Sequence, residues 1–206
     1  MKNLLLIQPR AIFRKLYPGA VWKIPTDKNE IYLTFDDGPV PGITEWVLDE
    51  LHKYNAKATF FCVGANIEKH PAIFNRILKE GHQVANHTMT HIKGFKKNVS
   101  EYLEEANKCR NLVKNPLFRP PYGQLKPNQY KALRSNGYKV VFWDVISYDY
   151  EQISSENCLQ KVMTNTVRGS IVLFHDSKKA EKNLRYVLPL YLKHFANLQF
   201  SFKALN

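Results

Sequence analysis

The chain has 206 residues, 44% of them hydrophobic, which suits one globular domain with a sizeable core, and no apolar run approaches the length of a membrane span. A formal net charge of +12 favours anionic polymers. The lysines are scattered, however, with only short clusters such as KGFKK (residues 93–97), and neither an RNP-like aromatic motif nor a Cys/His finger spacing accompanies them, so no nucleic-acid partner is expected. Cys62, Cys109 and Cys158 are far apart, odd in number and without a CxxC, which suggests neither a disulfide framework nor a thiolate zinc site.

The N-terminus, MKNLLLIQPRAIFRKLYPG, carries a lysine and a short apolar patch, then Gln8-Pro9-Arg10. That patch is too short for a secretory core, and no small-residue cleavage site follows. We therefore expect an irregular arm over residues 1–29 packed onto one domain over residues 30–206, and a cytoplasmic location. Residues 31–35 (IYLTF) read as a strand that runs into Asp36 and Asp37. Pro39, Pro41 and Gly42 follow, so Asp-Gly does not open a hairpin here.

Ile43, Trp46, Val47, Leu48 and Leu51 fall at helical spacing and predict a helix over 43–54. KATFFCVG (57–64) is a short apolar strand, and residues 70–81 a helix with Pro71 at its start and Gly81 at its stop. A strand over 82–87 and a charged helix over 99–113 come next. LFRPPYG (117–123) is a brief strand entering a rigid loop, and 127–136 a helix capped by Gly137. YKVVFWDV (138–145) reads as one strand, 155–167 as a helix, SIVLFHD (170–176) as a strand, 183–195 as a helix and LQFSFKAL (198–205) as the closing strand.

This alternation of apolar strands and helices implies a wound α/β fold, a distorted (β/α) barrel of about seven units. In such barrels chemistry sits at the C-terminal ends of the strands. Asp36 with Asp37, His87 with His91, Arg119 with Tyr122, Asp144 with Asp149, and His175 all follow strands, and all are expected on one rim. Each cluster alone is weak. Histidines at this spacing can aim both imidazoles at one point, as in a zinc half-site, but most such pairs are surface coincidences. DDGP alone is a turn, RPPYG alone a stiff loop, and His52, His70, His82 and His194 read as structural or solvated.

Together, TFDDGP, NHTMTH, RPPYG, WDVISYD and LFH occur in this order at spacings that resemble a polysaccharide deacetylase of carbohydrate esterase family four, the NodB-homology domain, over about residues 30–206. The resemblance implies one divalent metal ion on Asp37, His87 and His91; zinc fits such nitrogen and oxygen ligands best, with cobalt or nickel as substitutes. It implies Asp36 as general base paired with Arg119, His175 as general acid, and Asp149 as the carboxylate that orients that histidine and raises its pKa. The backbone N–H of Tyr122 would stabilise the oxyanion. Leu173, Trp143 and Tyr150 would wall a pocket for the acetyl methyl, plain core packing being the other reading of the two aromatics.

The sequence departs from the family pattern at Tyr150, where a Trp is common, and at Ile146, where an acid is common; both bear on the acyl pocket and sugar preference. The implied reaction is hydrolysis of the N-acetyl amide of N-acetylglucosamine units in peptidoglycan-type or chito-oligosaccharide-type glycans. The alternatives are O-deacetylation of a polysaccharide such as xylan, and a non-catalytic module that holds an anionic polymer on the rim.

Overall fold

The computed structural model describes residues 11–206; of the expected N-terminal arm, residues 1–10 lie outside the described residues. A short helix, α1 (Ala11–Leu16), precedes the first strand. The central sheet consists of β1 (Glu30–Asp36), β2 (Thr59–Cys62), β3 (Gln83–Asn86), β4 (Leu117–Phe118), β5 (Lys139–Val140), β6 (Val145–Ile146) and β7 (Ile171–His175). Their order is β5-β4-β3-β2-β1-β7-β6, and every one of these pairings is parallel. The last strand, β8 (Ser201–Lys203), pairs in parallel with the start of β1.

The helices are α2 (Thr44–His52), α3 (Gly64–Lys69), α4 (Pro71–Lys79), α5 (Val99–Val113), α6 (Pro127–Ser135), α7 (Ser155–Asn165) and α8 (Glu181–Asn197). The period-two alternation of a strand decides what faces them. Leu33 and Phe35 of β1 join Phe60, Phe174 and the buried residues of α2 and α8 in one apolar cluster. Thr34 and Asp36 point the other way, into the barrel, where the Arg119 guanidinium reaches both.

The expected strand over 138–145 is in fact two. β5 and β6 occupy opposite edges of the sheet although only residues 141–144 separate them, so the sheet must curl until its edges face each other. The diversion has a local cause. The Asp144 carboxylate accepts hydrogen bonds from Ile171 N–H (2.7 Å) and Ser170 Oγ (3.0 Å), pinning the chain to the start of β7. The apolar run VVFW stays buried or half-buried throughout, so hydrophobicity alone carries no sign of the break.

The facing edges are bridged by residues from before β1. Val21 pairs with Val141 and Lys23 with Ser170, Ile24 N–H donates to Gly169 O at 2.9 Å, and Trp22 stacks on Phe142 with ring centres 4.2 Å apart. Within the expected arm, α1 is helical and residues 21–24 are bonded into the seam, so the segment packs onto the domain. Other boundaries differ as well. The strand expected over 57–64 ends at Cys62, where the chain turns into α3. Helix α8 runs through Pro189 to Asn197 and shortens the closing strand to three residues.

Candidate active site

Four strand ends build the site. Asp36 is the last residue of β1 and Asp37 the next; His87 follows β3; Arg119 follows β4; His175 ends β7. Backbone geometry then re-aims the side chains. Asp37 (φ 87°), Thr88 (64°), His91 (56°) and Tyr122 (59°) all occupy the left-handed region, which costs a non-glycine residue about 1–3 kcal/mol and persists only where the surroundings enforce it.

Asp37 Oδ1 lies 3.1 Å from His91 Nε2 and 3.8 Å from His87 Nε2, and one ligand atom from each of the three falls within 4.8 Å of the others. His87 Nδ1 sits 2.8 Å from the Arg119 carbonyl oxygen. A carbonyl only accepts, so Nδ1 carries the proton and the Nε2 lone pair faces the centre, the tautomer a metal ligand needs. Burial first of all lowers the His87 pKa, to about 4, which keeps the imidazole neutral. Burial would raise the Asp37 carboxyl, but the hydrogen bond from His91 and the charges of His175, His87 and His91 hold it well below the carboxylate range. Two imidazole nitrogens and one carboxylate oxygen are a donor set that fits a divalent ion.

Asp36 has a different partner. Arg119, fully buried, donates through Nη1 to Asp36 Oδ1 (2.7 Å) and Thr34 Oγ1 (2.8 Å), and through Nη2 to Phe142 O (2.8 Å), and its guanidinium lies 4.0 Å from the centre of the Phe61 ring. That leaves Asp36 Oδ2 facing His87 Nε2 at 3.7 Å. Across the cavity, His175 Nδ1 lies 2.8 Å from Asp149 Oδ1, and Asp149 Oδ2 accepts the backbone N–H of His175 at 2.8 Å. Burial opposes charging of His175, but Asp149, helped by Asp37 and Asp36, outweighs it and raises the pKa to about 9. The imidazole is therefore doubly protonated at neutral pH.

Asp36, Asp37, His87, His91 and His175 open onto one cavity of about 440 Å³ that also touches Tyr122, Trp143, Ile146, Tyr150 and Leu173, with Arg119 and Asp149 buried behind Asp36 and His175. Tyr150 meets His175 edge-on at 4.7 Å. Trp143 fits close against Gly123, where an added Cβ would lie 2.9 Å from the indole. Every residue expected at the site is thus gathered at this mouth except Asp144, which belongs to the opposite end of the barrel, at the start of β7. Asn183 escaped the sequence reading as the beginning of a helix; its side chain donates to Asp149 O at 3.0 Å and steadies the loop that carries this carboxylate. Asp176, next to His175, escaped it too.

The family model described as polysaccharide deacetylase matches residues 23–141. The chain is 38% identical over 159 residues to a peptidoglycan-N-acetylglucosamine deacetylase of Bacillus cereus, a match covering 74% of this chain and 58% of that relative. It is 33% identical over 168 residues to a chitooligosaccharide deacetylase of Azorhizobium caulinodans, covering 77% and 79% respectively. A crystal structure of a peptidoglycan N-acetylglucosamine deacetylase, solved with 4-naphthalen-1-yl-N-oxidanyl-benzamide, superposes with a TM-score of 0.87 at 31% identity and covers 94% of each chain. Curled parallel sheet, strand-end carboxylates and imidazoles, and these matches agree: the chain belongs to the polysaccharide deacetylase family, carbohydrate esterase family four.

Proposed function

We propose that this chain is a divalent-metal-dependent hydrolase that removes N-acetyl groups from N-acetylglucosamine units of peptidoglycan-type or chito-oligosaccharide-type glycans. The observation that carries the reading is the convergence on one cavity of a three-ligand centre, a carboxylate–arginine pair and a carboxylate–imidazolium pair. Asp37, His87 and His91 would hold the ion, zinc by the chemistry of the donors, with cobalt or nickel as substitutes. Bound there, it supplies Lewis acidity, which makes water nucleophilic at neutral pH and polarises the amide carbonyl.

The chain's own groups move the protons. Asp36 Oδ2, the oxygen not held by Arg119, takes a proton from the attacking water as hydroxyl adds to the acyl carbon. His175 already carries its proton at neutral pH and delivers it to the departing nitrogen, so the C–N bond breaks to acetate and a free amine. Asp149 steadies the imidazolium. The Tyr122 backbone N–H would meet the developing oxyanion, and Leu173, Trp143 and Tyr150, with Ile146 beside them on the cavity, would offer a wall to the acyl methyl.

The test is acetate release from N-acetylated chito-oligosaccharides and peptidoglycan fragments, abolished by a chelator and restored by zinc. No acetate from any N- or O-acetylated sugar would overturn the proposal.

A further inference from the structure

Asp176 is fully buried and plays no part in the proton transfers above, yet it grips the loop that carries them. Its backbone N–H donates to the Asp36 carbonyl at 3.1 Å. Its Oδ1 accepts the Gly38 N–H at 3.0 Å, and its Oδ2 accepts the Thr44 hydroxyl at 2.6 Å. That hydroxyl in turn accepts the Val40 N–H at 2.7 Å. One residue at the end of β7 therefore holds the chain on either side of Asp37 and, through Thr44, the turn that follows.

The fit is close. A Cβ on Gly38 would lie 2.0 Å from Asp176 Oδ2, so the carboxyl group rests directly on bare backbone. Between the two points of attachment, Asp37 holds φ at 87°, a conformation a non-glycine residue keeps only under constraint.

We propose that Asp176 is a positioning residue that locks the left-handed Asp37 backbone so that its carboxylate is already turned toward His87 and His91 before the ion binds. The inference rests on the three-ligand metal centre proposed above. It assigns Asp176 no contact with substrate; its effect passes through the Gly38 and Asp36 peptides to the Asp37 side chain, as outer partners of metal ligands do.

Calorimetric zinc titration of the metal-free full chain, with thermal unfolding measured in parallel, tests it. Asp176→Ala is expected to weaken zinc binding about 10–100-fold, the usual loss when such a partner is removed. Asp176→Asn keeps an acceptor for Gly38 and is expected to restore most of the affinity. Asp144→Ala removes a buried carboxylate with two hydrogen bonds at the other end of the barrel; it should lower the melting temperature and leave zinc affinity unchanged. If Asp176→Ala does not fold, Thr44→Val cuts one arm of the clamp with little change in shape, and weaker zinc binding is expected there as well. Wild-type affinity in Asp176→Ala, or in Thr44→Val where the alanine variant is unfolded, overturns the clamp and leaves the metal centre standing. No zinc binding by the wild type overturns the metal centre and the clamp together.

Discussion

Asp36 and Asp37 are adjacent carboxylates with different partners, the Arg119 guanidinium for one and the His91 and His87 imidazoles for the other. Removing each charge should therefore have a different signature. Asp36→Asn is expected to keep its zinc and lose about 10²–10⁴-fold in turnover, roughly 3–6 kcal/mol of barrier. His87→Ala is expected to lose both zinc and nearly all turnover, so metal analysis beside acetate release separates the two roles. His175 gives a pH signature. Its raised pKa means that the acid form is lost as pH rises, so kcat should fall on an alkaline limb at or below about 9, since a bound cation opposes the imidazolium. Asp149→Asn removes the strongest support for that charge, and the limb should move to lower pH. These residues were legible because each stands just after an apolar strand within a characteristic short motif. Asp144 stands in the same kind of place in FWDV, and only its bonds to Ser170 and Ile171 assign it to the other end.

Among the elements, those with clean periodicity emerged with small boundary errors, α5 closely so. Its Asn98–Glu101 capping box fixes the start. The failures share a cause. A continuous apolar run says that a segment is buried, not how many strands it forms, which is why 138–145 looked like one strand. The join between α4 and β3 supplies a prediction of its own. His82 is buried, and its Nδ1 accepts the Ala58 N–H at 3.2 Å, which requires that nitrogen to be unprotonated. Burial lowers its pKa to about 4, against 6.5 for the free side chain. Between those values the unfolded chain binds more protons than the folded one. The contribution is therefore present above pH 6.5 and is lost as pH falls toward 4, by at most about 3 kcal/mol. Denaturant melts across this range should show that slope, and His82→Gln should flatten it; an unchanged slope would remove His82 as its source.

At the scale of the molecule, the seam between the sheet edges depends on residues far away in sequence. Val21 bonds to Val140 and Phe142, while Arg119 draws on the carbonyls of Val141 and Phe142, so the seam and the base-pairing arginine share one stretch of backbone. Trp22→Ala removes the stack on Phe142 and is expected to cost about 2–4 kcal/mol in chemical denaturation, with turnover falling more than zinc affinity. A variant with native stability and turnover would show the seam to be dispensable. No sequence pattern announced this closure, because the pairing of Val21 with Val141 joins two short apolar stretches that carry no local signature of each other.

The placement of β1 also has a consequence for how the polypeptide comes into being. All its neighbours follow it in the chain, but at very different distances: β2 soon after it, β7 and β8 only far downstream. During translation this strand must wait with one flank bare until β7 and β8 leave the ribosome. Assembly is then dominated by late, long-range pairing, which slows folding and leaves an unpaired edge exposed to sticking. The strand that ends in Asp36 and leads into Asp37 is thus among the last to be completed, and a nascent chain halted before β7 would lack His175 and one of the two flanks that hold Asp36 in place.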